Sequence, residues 1–256
     1  RSESVLPTPE VIPDAQGFGL HEFDVQGRPH YAVLFEFVEG RSPTIGDDDA
    51  LIDIFVTIGE LSRKLQDHAR RWQPPAEFAR VTWSPEYILG LKDPSWESWR
   101  LNPEVTPPIA EHLDAVEAHA LVTLQRYRMR HPDRFGLIHT DLRAANLLVQ
   151  HGRITVIDFD DCGSSWFMYD FGTAVSFIEH DARLPAWQEA WVAGYRSVAE
   201  LRAADEAMLA TFVMLRRLLL VAWIASHAET ELAQSMGIAY TEGTAALCEG
   251  YLGHFG

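Results

Sequence analysis

Cysteine is nearly absent: Cys162 and Cys248 are the two in 256 residues. That is too few for a disulfide framework or a cysteine-built metal site, and it suggests a reducing, cytoplasmic setting. Basic residues are also scarce, with 21 Lys+Arg against 37 Asp+Glu and a formal net charge of -16. Nucleic acid and anionic membranes would be repelled, so neither is expected as a partner. A cationic or neutral substrate is easier to accommodate, although an acidic surface also serves plain solubility. The strongest apolar run, residues 218 to 225, is well short of the ~20 residues of a membrane span. With Arg216 and Arg217 at its start, it predicts a buried helix. The opening residues, beginning at Arg1, match neither a secretory signal nor a transit peptide. Internal repeats and low-complexity tracts are missing too.

What is present suits a folded enzyme. A chain that is 47% hydrophobic can bury a large core, as one domain or as two small lobes. Two apolar stretches, residues 20 to 23 and 31 to 38, flank the turn-like Gln26-Gly27-Arg28-Pro29 and predict a β-hairpin. From Asp48, Leu51, Ile54, Phe55, Ile58, Leu61 and Leu65 recur at helical spacing. A Trp- and Pro-containing connection leads to a helix over about 109 to 130, and further helices are predicted near 170 to 179, 186 to 199, 204 to 227 and 231 to 253. Between them, Leu147-Leu148-Val149 and Ile154-Thr155-Val156-Ile157 flank Gln150-His151-Gly152-Arg153, a tight hairpin.

The informative stretch is Ile138-His139-Thr140-Asp141-Leu142-Arg143-Ala144-Ala145-Asn146, followed after that hairpin by Asp158-Phe159-Asp160. If the hairpin doubles the chain back, Asn146 and Asp158 meet at its open end, with Asp141 one loop away. A carboxylate can position and deprotonate an acceptor hydroxyl, while a carboxylate and a carboxamide oxygen can hold magnesium on nucleotide phosphates. Asp160 could touch that metal or cap the following turn, and Asp161 reads as a solvated turn residue. His112 and His119 would share a helix face without a third ligand. Trp96 and Trp99 would share one too, most simply for packing.

The order His-x-Asp-Leu-Arg-x-x-Asn and then Asp-Phe-Asp resembles the catalytic and metal-binding loops of protein kinases. Thr140 and Asp160, where protein kinases carry Arg and Gly, together with the helical remainder, look like the aminoglycoside phosphotransferase and choline kinase superfamily. Its homoserine-kinase-like and bacterial stress-response branch is the most similar. The resemblance runs from about Tyr31 to the C-terminus and is specific from Ile138 to Asp170. It implies an α+β, protein-kinase-like fold, with residues 1–40 as a remnant of the nucleotide-binding lobe and hinge, and 41–256 as the helical catalytic lobe. It implies ATP and Mg2+ as cofactors, Asp141 as catalytic base, Asn146 and Asp158 as metal ligands, and Arg143 near the transferred phosphate or the substrate. His139 and Asp170 would brace the loop. Adenine would meet the hinge backbone at Glu36, Phe37 and Val38, with Leu148 and Ile157 beneath it. Upstream of Tyr31 there is no Gly-rich phosphate loop and no nucleotide Lys, so the resemblance places most of the nucleotide lobe outside this chain. The expected reaction moves the γ-phosphate to a hydroxyl of a small amino alcohol, amino acid or aminoglycoside. A protein Ser/Thr acceptor and a non-catalytic binding module are the alternatives.

Overall fold

The computed structural model describes residues 6–44, 48–92 and 98–255, with the side chains of 48–50 left aside. β1 (His21–Val25) and β2 (Arg28–Ala32) form an antiparallel hairpin. Its two-residue turn has Gln26 at φ 55° and Gly27 at φ 78°, the left-handed pair that suits the twist of the flanking strands. The hairpin read from the sequence therefore stands, but Arg28 and Pro29 belong to β2 and not to the turn. Beyond Ala32 the predicted strand is not continuous. Phe35 makes a single bridge to Val11, and the amides of Ile12 and Glu36 donate to Leu34 O and Glu10 O, each at 2.8 Å.

The helical lobe follows, with α1 (Asp48–Arg71), α2 (Pro85–Ile88), α3 (Pro107–Arg130), β3 (Phe135–Ile138), β4 (Leu147–Gln150), β5 (Arg153–Val156), β6 (Gly163–Trp166), α4 (Tyr169–Ala174), α5 (Leu184–Val198), α6 (Ala203–Glu206), α7 (Leu209–Ser226) and α8 (Glu231–Phe255). α1 and α5 approach closely where Gly59 faces Trp191 and Gly194 faces Val56. A Cβ on either glycine would lie 2.0 or 1.8 Å from the opposing carbonyl oxygen. Phe55 stacks on Trp187 beside this contact, with centroids 5.2 Å apart.

α7 runs through the core, and Leu209, Phe212, Leu215, Leu218 and Val221 are all buried along it. By length and composition the α6–α7 stretch could cross a membrane, yet 83% of that window is buried inside the protein. This is the core helix expected from the sequence.

Two predicted helices depart from their limits, and a third is kinked. α4 stops at Ala174, because the chain turns at Phe177 (φ 71°) to bring Glu179 into the core, where its carboxylate accepts the Phe177 amide at 3.2 Å. The helix expected over 204 to 227 is split into α6 and α7. The Asp205 carboxylate holds the short first piece by accepting from the Tyr127 hydroxyl at 2.7 Å. α8 carries a kink at Gly237 (φ 54°), a conformation open to glycine at little steric cost. Trp99 lies on a 3-10 turn, buried, with its indole N–H on Glu117 at 2.8 Å, whereas Trp96 falls outside the described residues.

Candidate active site

β3 pairs antiparallel with β6, and β4 with β5. The β4–β5 turn has His151 and Gly152 at φ 49° and 76°, as the predicted tight hairpin requires. A 3-10 turn, Ala144–Asn146, ends the loop between β3 and β4. The Ile157 amide donates to Asn146 O at 3.0 Å, so the hairpin closes with Asn146 and Ile157 paired and Asp158 immediately beyond.

Two non-glycine residues in this loop system have positive φ, Thr140 at 64° and Asp158 at 66°. For a β-branched threonine this is strained backbone. It is held from both sides. The Thr140 amide donates to Asp170 Oδ1 at 3.3 Å, and its hydroxyl donates to Asp161 O at 2.6 Å.

Asp141 is enclosed by donors. Arg216 Nη2 meets Oδ1 at 2.7 Å, and Arg143 Nε meets Oδ2 at 3.1 Å. Asn146 Nδ2 donates to Oδ2 at 2.8 Å and to the Asp141 carbonyl at 2.9 Å. Those bonds use the amide nitrogen of Asn146 and leave its carbonyl oxygen, the harder donor, for a cation. Arg143 also lies 5.8 Å from the Phe177 ring centroid.

His139 is buried beneath the loop, and burial lowers its pKa below the ordinary histidine value. A neutral ring satisfies both contacts: Nε2–H donates to Ile157 O at 3.1 Å, while Nδ1 accepts the Asp141 amide at 3.3 Å. One side chain thus ties the residue before Asp158 to the backbone of Asp141.

Asp170 is fully buried; burial raises its carboxyl pKa to about 7, against the Thr140 hydrogen bond that lowers it. A raised folded-state pKa gives stability that is complete below the unfolded value near 3.8 and is lost as pH rises through about 7. Asp170→Asn keeps an acceptor for Thr140 and cannot ionise. The unfolding free energy of the variant relative to wild type is expected to improve by on the order of 2 kcal/mol between about pH 5 and 8.5. Denaturant titrations at the two pH values check this; an unchanged difference would mean that Asp170 does not titrate in that window.

The Asp-Phe-Asp turn is fastened by a residue that sequence reasoning missed. Arg80 Nε donates to Cys162 O at 2.7 Å, and its Nη2 donates to Phe159 O and Asp160 O at 2.5 and 2.7 Å. The Asp158 carboxyl pKa is pushed up to about 6, first by its hydrogen bond with Asp160, then by burial and the negative charges of Asp160, Asp141 and Asp161. Asp160 Oδ1 caps the turn by accepting the Asp161 amide at 2.8 Å.

Asp161 is not the solvated turn residue expected from the sequence. It is half-buried, its carbonyl accepts from Thr140 and from the Trp83 indole at 2.9 Å, and burial raises its carboxyl pKa, with Asp141 adding to the effect. It lines a pocket of about 440 Å³ together with Arg80, Trp83, Tyr87, Asp160 and Cys162.

Among the described residues, no group of three or more His, Cys, Asp or Glu is arranged to hold a metal ion by itself. His112 and His119 instead face α8, through Glu249 at 3.4 Å and the Tyr251 hydroxyl at 3.0 Å. The oxygens of Asn146 and Asp158, beside uncompensated carboxylates, do fit a hard divalent cation that takes further oxygen ligands from elsewhere. Of the predicted adenine-side residues, Glu36 is exposed, Phe37 is 88% exposed, and Val38, Leu148 and Ile157 are half-buried. Gly40 and Arg41 then lie against β4. Arg41 exchanges backbone hydrogen bonds with Val149 at 3.1 and 3.0 Å, and a Cβ on Gly40 would sit 3.0 Å from Leu148 Cβ.

The profile of the phosphotransferase enzyme family (APH) matches residues 1–207. An amicoumacin kinase of Bacillus subtilis (strain 168) is 29% identical over 222 residues, which is 82% of this chain. The chain spans 59% of that relative's length. A solved structure of a microcompartment-associated aminopropanol kinase is 45% identical and superposes with a TM-score of 0.82, over 97% of this chain and 77% of that one. An amicoumacin kinase in complex with AMP-PNP, Ca2+ and Ami, 20% identical, gives a TM-score of 0.71 over 98% of this chain and 73% of its own. These likenesses show that the fold is the α+β kinase-like one read from the sequence.

Proposed function

The chain belongs to the phosphotransferase enzyme family, and on that premise we propose that it forms the catalytic lobe of a kinase moving the γ-phosphoryl group of ATP to the hydroxyl of a small amino alcohol. One observation carries the reading: Asp141, Asn146 and Asp158 stand on adjoining loops, beside a pocket whose walls are acidic and aromatic. Asp141 orients the acceptor hydroxyl and takes its proton as the new oxygen–phosphorus bond forms. Asn146 and Asp158 hold Mg2+ through their side-chain oxygens. Bound there, the cation supplies neutralisation of phosphate charge. Arg143, beside Asp141, is placed to balance charge on the transferred group, and His139 and Asp170 keep the strained loop in shape. Residues 1–40 serve as the nucleotide-side structure, with Glu36, Phe37 and Val38 offering backbone to adenine above Leu148 and Ile157.

The pocket supports the acceptor class. A volume of about 440 Å³ suits a small molecule. Asp160 and Asp161 contribute negative charge, while Arg80, the one cation among the described residues of the wall, already serves three backbone carbonyls. The half-buried ring of Tyr87 on the pocket wall offers a π face to an ammonium group. The likeness to an aminopropanol kinase at 45% identity favours the same class.

Asp161→Asn keeps the carbonyl that Thr140 and Trp83 use and removes only the charge. In the natural full-length protein it is expected to raise KM for aminopropanol by about tenfold or more, as loss of a charge-assisted contact does. KM for ATP and for an uncharged diol should hardly move. Steady-state kinetics with the three substrates check this, and an unchanged aminopropanol KM would remove the cation from the reading.

A further inference from the structure

α7 is the apolar core helix, yet it places the Arg216 guanidinium, 3% exposed, against the carboxylate that does the chemistry. Nη2 meets Asp141 Oδ1 at 2.7 Å, and Nε donates to Ser176 Oγ at 2.9 Å. Ser176 is anchored in turn, its hydroxyl donating to Thr173 O at 2.7 Å. The guanidinium is therefore fixed at both ends. Arg143, the other cation on Asp141, is the more exposed partner, with 28% of its side chain accessible against 4% for Arg216. Withdrawing a guanidinium from water is costly, and an apolar residue would pack a core helix more cheaply.

Resting on the reading of Asp141 as the base, we infer that Arg216 is a positioning residue for phosphoryl transfer. It fixes the rotation of the Asp141 carboxylate and balances its charge where an anionic phosphoryl group must approach. Oδ2 already accepts from both Arg143 and Asn146, whereas Oδ1 accepts from Arg216 alone among the described residues, so the acceptor hydroxyl meets the remaining lone pair of Oδ1, whose direction Arg216 sets. The proton passes to Oδ1 as the acceptor oxygen bonds to phosphorus and the bond from phosphorus to the ADP oxygen breaks. In a loose phosphoryl-transfer transition state, bond formation to the acceptor is little advanced, so orientation and charge balance matter more than basicity. A buried, doubly anchored arginine supplies both.

The test uses the natural full-length protein with ATP and aminopropanol. Arg216→Met is expected to lower kcat by about 100-fold, the scale of a misplaced reacting group, with both KM values within about threefold. Arg216→Lys, which keeps the charge, should recover about a tenth or more of the wild-type rate. In an Asp141→Asn background, Arg216→Met should change the residual rate by less than about threefold, since the two residues act as one unit. If Arg216→Met does not fold, Ser176→Ala removes the Nε anchor while leaving the charge, and should lower kcat by about tenfold in the wild-type background alone. The inference is overturned if kcat of the folded variant stays near wild type, if KM takes the whole effect, or if the loss is as large without the Asp141 carboxylate. Should Asp141→Asn itself run at the wild-type rate, the reading of Asp141 as base fails first, and visibly so.

Discussion

Asp141→Asn is expected to slow single-turnover phosphoryl transfer by about three orders of magnitude, within the range for loss of a positioned general base. Nucleotide affinity should persist, because Asn146 and Asp158 keep their places through the Asn146–Ile157 hydrogen bond of 3.0 Å and the clamp of Arg80 on the following turn. The substitution also strands the buried Arg216 charge that Asp141 balances at 2.7 Å, so the variant should melt at a lower temperature. Rapid-quench measurement of product, alongside nucleotide titration and a melting curve, separates the chemical loss from the structural one. A variant that melts earlier but transfers phosphate at the wild-type rate would remove Asp141 from its role.

Arg217→Met is expected to produce the largest loss of stability. Arg217 is 1% exposed, its Nη1 pairs with Glu179 Oε2 at 2.9 Å, and it donates to Thr244 Oγ1 and Tyr240 O at 2.8 and 2.6 Å. Its guanidinium carbon lies 3.2 Å from the Tyr240 ring centroid. Glu179 is as deeply buried, with the Tyr240 hydroxyl 3.1 Å from both of its oxygens. Removing the arginine leaves a carboxylate in the core with no counter-charge, a change that costs about 3–5 kcal/mol, or about 10 °C in melting temperature for a chain of this size. Adding Glu179→Gln should restore part of the loss, since the stranded charge is what destabilises. Calorimetry of the single and double variants decides it. A single variant melting within about 2 °C of wild type would mean the core tolerates that carboxylate unpaired.

The layout of the candidate site was legible in the sequence because its signals are local. Asp141, Asn146 and Asp158 sit on a short loop and a hairpin whose turn residues, His151 and Gly152, fix the register. The long helices were legible through their periodicity. β6 was not, because Gly163, Ser164 and Ser165 lack alternation. That strand is imposed by tertiary packing: the amides of Ser164 and Trp83 exchange hydrogen bonds with Val81 O and Ser164 O at 2.9 and 2.8 Å. Asp161 was misread as solvent-facing because the ring of Trp83 and the side chain of Arg80 that enclose its turn come from about 80 residues earlier.

Arg216 was visible only as one of two charges at the head of an apolar run. Two adjacent arginines in a helix bound for the core demand buried counter-charges, and that demand could have been drawn from the sequence. The identities of the partners, Asp141 across 75 residues and Glu179 across 38, could not. Long-range ion pairs leave no spacing rule behind.

Transfer of the phosphoryl group to a small amino alcohol can be followed directly. The most direct measurement incubates the natural full-length protein with γ-labelled ATP, Mg2+ and aminopropanol, and follows where the label goes. Label is expected in the amino alcohol, with ADP and phosphorylated product appearing in equal amounts and no product when the acceptor hydroxyl is missing. Label confined to serine or threonine of protein, or ATP left unconsumed in the presence of the amino alcohol, would contradict it.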